Sequence, residues 1–252
     1  MGIPRSYQTQ AIVIKQIKLG EVDKIITVYT PEFGKLKAVA KGACRPGSNL
    51  GGNVEPLTHS LMMLARGRNL DIVTQSQTID GFLALKSDLW RMSCGLYLLE
   101  LVDSFTVVNS GNPPLFDLLL STLCWLCQTD SSEIALRYFE LHFLDYLGYR
   151  PQLHQCVICT LPLKPVVNFF SSRQGGILCP QCSEKESESH PIAVDALKIL
   201  RLWQDCDYST AKRVKVKSEL SSQLRQVIQE YMKYLLQREV KSITWLEQLR
   251  GS

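Results

Sequence analysis

Residues 9–78, TQAIVIKQIKLGEVDKIITVYTPEFGKLKAVAKGACRPGSNLGGNVEPLTHSLMMLARGRNLDIVTQSQT, decide the fold. Five short segments in this stretch are β-branched or alternate apolar with polar: TQAIVIKQ (9–16), KIITVYT (24–30), KLKAVAK (35–41), LTHSLMMLA (57–65) and LDIVTQSQT (70–78). The runs between them, KLGEVD, PEFG, GACRPGSNLGGNVEP and RGRN, hold the Gly, Pro, Asn and Asp that reverse a chain. Five strands within about 80 residues suit a small barrel of the OB-fold or SH3-like kind.

Beyond residue 81 the period changes from two to 3.6. FLALKSDLWRMSCGLYLLELVDSF (82–105) is apolar around much of its circumference, as in a helix buried on several sides. Ser93, Cys94 and Gly95 in its middle are small enough for close helix contact. PLFDLLLSTLCWLCQ follows as a helix with Pro114 in its first turn, then SSEIALRYFELHFLDYLG, capped by Ser131 or Ser132 and ended by Gly148. After residue 190, PIAVDALKILRLWQ and SELSSQLRQVIQEYMKYLLQRE return to helix. Leu220, Leu224, Val227, Ile228, Tyr231, Leu235 and Leu236 form the apolar stripe of the second. That stripe is expected to close the helical core begun before residue 150. SEKESESH (183–190) reads as a polar, solvated run.

Nine cysteines are many for 252 residues, and an odd number without an apolar leader argues against a secreted disulfide framework. Three pairs have the C-x-x-C spacing, where chance placement would give about 0.3. CVIC (156–159) and CPQC (179–182) stand 19 residues apart, inside the spacing window of zinc sites. Two such turns complete a sulfur tetrahedron, so Cys156, Cys159, Cys179 and Cys182 are the expected ligands of one structural zinc ion, with no open position for catalysis. VVNFFSS and the QGG turn before ILC read as a hairpin between the knuckles, giving a zinc-ribbon shape. The competing readings are a metal-free reduced loop or a redox dithiol. Cys124 and Cys127 lie on a helix among Leu and Trp and read as core cysteines.

Catalytic patterns are missing: there is no P-loop, no G-x-S-x-G elbow, no H-E-x-x-H and no clustered carboxylates. A non-enzymatic protein is expected. Positive charge is concentrated in the barrel instead. Residues 15–45 hold Lys15, Lys18, Lys24, Lys35, Lys37, Lys41 and Arg45 against three acids, a net +4 that equals the net charge of the whole chain. Arg66 and Arg68 follow in the last turn, with Tyr29 and Phe33 among the bases. Cations along a phosphate chain beside aromatics that stack on bases is how OB-folds bind single strands; an ordinary solvated surface is the bland alternative. AKRVKVK (211–217) either extends such a track or is simply a soluble loop.

LGEVDKIITVYT, FGKLKAVAKGACRP, SNLGG with the following EP, and RGRNLDIVTQ together resemble the N-terminus of RecO, the bacterial recombination mediator family. YLGYRPQLHQCVICT, GGILCPQC and YMKYLLQREVKSITWL are similar to its second half, so the resemblance runs in order along nearly the whole chain. It implies an α+β architecture: an N-terminal OB-fold β-barrel over residues 1–80, then an all-α domain over 81–252 that carries the zinc-ribbon-like four-cysteine insertion at 152–190. It further implies a cytoplasmic, nucleoid-associated protein that binds single- and double-stranded DNA and anneals complementary strands. Its implied partners are RecR and the C-terminal tail of single-stranded-DNA-binding protein, and its implied task is to help RecA load. Lys24, Lys35, Lys37, Lys41, Arg45, Arg66 and Arg68 are the expected DNA contacts. Arg137 is a candidate for the acidic tail that nothing in the sequence singles out. A zinc-ribbon protein-interaction or transcription-type module without annealing activity is the alternative.

Overall fold

The computed structural model describes residues 5–128, 132–237 and 240–250. Five strands, β1 (Ser6–Leu19), β2 (Asp23–Thr30), β3 (Gly34–Ala40), β4 (His59–Ala65) and β5 (Asp71–Asp80), close into a barrel in the order β1-β2-β3-β5-β4. Every pairing is antiparallel except β3 with β5, which is parallel through Ala38↔Asp71 and Val39↔Ile72. That order and its single parallel closure are those of an OB-fold, which resolves the choice between the two barrel types. The long stretch between β3 and β4 carries a 3₁₀ turn at Gly52–Val54. Inward-facing residues alternate along the strands and fill the barrel: Val13, Ile26, Val28, Leu36, Ala38, Met62, Leu64 and Val73 are all buried.

Helices α1 (Leu83–Lys86), α2 (Leu89–Phe105) and α3 (Pro113–Gln128) follow the barrel. The single helix expected over 82–105 is two, because the Asp88 carboxylate accepts the Arg91 amide at 2.8 Å and starts a new helix there. Gly95 does allow the close contact expected of it, since a Cβ at that position would lie 2.9 Å from Leu57 and 3.2 Å from Leu85.

By packing, the chain forms two compact units, Met1–Asp130 with Val240–Ser252, and Ser131–Glu239. Residue 80 therefore marks the change from strand to helix, while α1–α3 pack with the barrel. The connection after α2 shows how. Val108 bridges to Lys35 of β3, and the Asn109 amide donates to the Lys35 carbonyl at 3.0 Å. Helix α9 (Lys241–Arg250) also belongs to this unit: it packs on α2, and the Glu100 carboxylate accepts the Lys241 and Ser242 amides at 2.9 and 2.8 Å.

In the second unit, α4 (Ser132–Tyr146), α6 (Val194–Asp205), α7 (Tyr208–Ala211) and α8 (Ser218–Leu236) pack on one another. Leu224, Val227, Ile228 and Tyr231 of the expected stripe are buried. Of the two cap candidates for α4, Ser131 lies outside the described residues. Between α4 and α6 sits a small sheet, β7-β6-β8, of β6 (Asn168–Ser171), β7 (Gly176–Leu178) and β8 (Ser189–Ile192), with the short helix α5 (Pro180–Ser183). The expected hairpin is β6–β7. Strand β8 falls at the end of SEKESESH, where polar composition gave no sign of pairing. No helix among the described residues is long and apolar enough to cross a membrane.

Candidate nucleic-acid interface and metal centre

Residues opposite one another in the β1–β2–β3 ladder share a face, and the register sorts the outer face of the barrel into rows. Ile12, Tyr29 and Lys35 form one row; Lys15, Thr27 and Lys37 the next; Ile17, Ile25 and Val39 a third, continued by Ile72 of β5. The first row is covered: Ile12 and Tyr29 are 0% exposed, with α2 packed on β1 and α3 on β2. The other two are open in part: Lys15 and Lys37 are exposed and Ile17 is 55% exposed, while Ile25 and Val39 are half-buried and Thr27 is buried.

This division corrects one expected DNA contact, Lys35, and an ion pair takes up a second, Lys24. Lys35 is 8% exposed, and its ammonium donates to the Asp103 carbonyl at 2.5 Å and the Asp103 carboxylate at 3.2 Å. It is a structural cation under α2. Lys24 is committed to Glu55 at 2.6 Å, a carboxylate that also takes the Gln16 amide at 2.5 Å. The aromatics expected to stack on bases are withdrawn as well. The buried Tyr29 hydroxyl has no hydrogen-bond partner among the described residues, and burial raises its pKa to about 12. Phe33 is half-buried, packed on Tyr7 at 4.8 Å between ring centroids.

Lys37, Lys41, Arg45, Arg66 and Arg68 remain exposed. Lys37 points to the same side of β3 as Val39, by the period of two, and Lys41 stands in the turn directly after the strand. Arg45 lies in the turns after β3, folded back against Gly42. Because Asp71 pairs beside Ala38, the β4–β5 turn with Arg68 comes alongside the Lys37 end of β3. Asp71 is the positioning residue the sequence reading missed. Its carboxylate accepts the Tyr7 hydroxyl and, at 3.1 Å, the Gly67 amide, and so fixes the turn. The Arg66 guanidinium stands 4.9 Å above the Tyr7 ring, a cation–π contact that preorients it.

The second candidate site is a sulfur cluster. Cys156 and Cys159 lie in a tight turn in which the Cys156 amide donates to the Leu161 carbonyl at 3.0 Å and its carbonyl accepts the Thr160 amide at 2.9 Å. Thr160 closes the turn at φ +59°, a conformation that favours glycine. Cys179 precedes α5, and its carbonyl accepts the Cys182 and Ser183 amides at 3.0 Å, curling Cys182 back toward it. Gly176 lets the first knuckle approach the hairpin: a Cβ there would sit 2.5 Å from the Gln152 carbonyl oxygen and 2.7 Å from Val157.

The four sulfurs lie within 4.8 Å of one another, and Cys159 Sγ and Cys179 Sγ are 3.9 Å apart. That is far from a disulfide bond and close to the ~3.8 Å edge of a tetrahedron with metal–sulfur bonds of about 2.3 Å. Burial pushes the Cys156 thiol up, but the backbone amides of Cys159, Cys179 and Ile158 outweigh it and bring the thiol down to about 6. Hydrogen bonding to Cys179 favours the protonated form of Cys182 and raises it to about 12. A dication among the four sulfurs would favour the thiolate form of each. The expected ligand set is thus assembled and fits a metal ion. Cys124 and Cys127 are half-buried on α3, and burial raises both thiols.

Residues 4–82 match the family described as Recombination protein O N terminal, and residues 86–243 match Recombination protein O C terminal. The chain belongs to the RecO family. It is 38% identical over 249 residues to the DNA repair protein RecO of Dehalococcoides mccartyi, covering 99% of this chain and 98% of that one. The DNA repair protein RecO of Roseiflexus sp. is 37% identical over 246 residues, covering 98% and 87%. That of Desulforamulus reducens is 33% identical over 246 residues, covering 98% and 96%. Within this RecO family chain, Arg137 is no receptor for an acidic tail: it is 2% exposed and paired with Glu140 at 2.7 Å.

Proposed function

We propose that this RecO family chain is a non-enzymatic DNA repair and recombination mediator. It binds single- and double-stranded DNA on the open rows of the barrel and anneals complementary strands. With RecR, it helps RecA load on strands coated by single-stranded-DNA-binding protein. The observation that carries the DNA-binding reading is the cationic outer face where exposed Lys37 stands beside Val39, with exposed Lys41, Arg45 and Arg68 on the adjoining turns. Phosphate contacts by such side chains give sequence-independent affinity that weakens as salt rises. Screening two strands on one cationic protein lowers their mutual repulsion and requires no nucleotide hydrolysis. Bases meet the apolar row of Ile17, Ile25 and Val39 in place of aromatic rings, so little base preference is expected. The activity is placed in the cytoplasm, on the nucleoid.

The metal held by Cys156, Cys159, Cys179 and Cys182 is zinc, in a structural role. Four thiolates saturate a tetrahedral ion and leave no position for water. Zinc supplies charge neutralisation and a cross-link, and the surrounding backbone amides orient the sulfurs.

Annealing of complementary strands coated with single-stranded-DNA-binding protein, without ATP, tests the proposal. Acceleration by the chain is expected. The same rate with and without it, together with no shift of labelled single strands at low salt, overturns it.

A further inference from the structure

AKRVKVK (211–217) takes no part in the barrel face or the metal centre. It joins α7 to α8 in the second unit, and residues 214–217 are neither helix nor strand. Exposure alternates along it. Arg213, Lys215 and Lys217 are exposed, while Val214 and Val216 between them are half-buried. The valines therefore pin the segment down and set the three cations on the opposite side, with Lys212 exposed beside them. Lys212, Lys215 and Lys217 are in no ion pair among the described residues. Two acids stand nearby: Asp207, which senses Arg213, and Glu219 in the first turn of α8. Four cations in six residues outnumber them. The 19-residue helix α8 starts directly after Lys217 with no side-chain cap, so its N-terminal dipole adds to the positive potential.

We propose that residues 212–217 are a second polynucleotide rail, which holds one strand while the barrel face of the other unit holds its complement. The inference rests on the DNA-binding reading and extends it to two strands per chain. Four exposed cations on a pinned segment suit a flexible polyanion, which follows a line of charge without needing a shaped pocket. Annealing gains from such a division, because a single cationic face already neutralised by one strand no longer screens the charge of the second.

The test uses the full-length, metal-loaded chain in three forms: unmodified, Lys212→Gln/Lys215→Gln/Lys217→Gln, and Lys37→Gln/Arg68→Gln. Readouts are strands bound per chain, affinity for a labelled single strand as salt is varied, and the rate of ATP-free annealing. The unmodified chain should bind two strands. The rail variant should bind one, with first-strand affinity within about threefold, and anneal about tenfold more slowly, because up to three phosphate contacts are gone. The barrel variant should lose first-strand affinity. Annealing by the rail variant within about twofold of the unmodified chain, or a single strand per unmodified chain, overturns the rail alone. Lost binding of a polyglutamate peptide with annealing intact also overturns it, assigning the segment to an acidic protein partner. No DNA binding by the unmodified chain overturns the DNA reading and the rail together.

Discussion

Two lysines two residues apart on β3 have opposite surroundings. Lys35 is sealed under α2 against Asp103, while Lys37 is open beside Thr27. Lys37→Glu should therefore weaken single-strand binding and lower its salt dependence by about one unit of slope, without changing the unfolding temperature. Lys35→Ala should leave the Asp103 carboxylate without its cation and cost about 1–3 kcal/mol of stability. Its DNA affinity should match that of the unmodified chain at a temperature where it is folded. Denaturant unfolding and fluorescence anisotropy on both variants check this, and a swap of the two phenotypes would refute the assignment. Thr160 makes a separate case. A β-branched residue at φ +59° carries strain of about 1–2 kcal/mol, partly offset by its hydroxyl bond to the Cys159 carbonyl at 2.7 Å. Thr160→Gly removes the strain at the cost of a more flexible unfolded chain, so a gain of up to about 1 kcal/mol is expected, read as slower metal loss to a chelator.

Strands β6–β8 and the knuckles around them make up a segment of few buried side chains, which the metal is expected to cross-link. Chelation, or Cys159→Ser, should loosen residues 152–192 selectively. Hydrogen exchange of the Cys156, Val157 and Ile177 amides should speed up by at least about tenfold, while barrel amides such as Val13 and Leu57 keep their protection. Uniform deprotection would instead make the metal a determinant of the whole fold. This segment was legible in the sequence because C-x-x-C spacing is a local signal that needs no tertiary information. The strand positions of the barrel were legible for the same reason, through turn residues and alternation. What escaped was tertiary. Lys35 and Lys37 look alike on one strand until the helices after the barrel cover one row and leave the next. Asp71 matters only because the parallel β3–β5 closure brings its turn to β3, and a pairing between strands separated by β4 leaves no periodic trace. Asp88 looked like a polar residue on a long helix because capping competes with propagation through a single hydrogen bond.

At the scale of the molecule, each unit carries a histidine kept neutral by burial. His59 in the first is hydrogen-bonded to Gln10 at 2.9 Å, and desolvation lowers its pKa below 6.5 against the opposing pull of Asp80. His142 in the second donates to the Trp203 carbonyl at 3.0 Å and is also lowered by desolvation, against that bond and nearby carboxylates. As pH falls through 6.5 the unfolded chain takes up a proton at each site and the folded chain does not. Stability is therefore complete above that value and declines below it, by up to about 1.4 kcal/mol per pH unit per histidine, until the folded-state pKa is passed. Acid also protonates the cysteine ligands, so the decline of the unmodified chain mixes two causes. His59→Gln separates them, because glutamine can replace the bond to Gln10, cannot take up a proton in this range, and leaves the metal site untouched. Between pH 7.5 and 5.5 the urea midpoint of this variant should fall less than that of the unmodified chain, and the difference is the contribution of His59. Parallel declines in the two proteins would mean that His59 is protonated in the folded state as readily as in the unfolded one, and would place the acid sensitivity elsewhere, in the sulfur cluster or at His142.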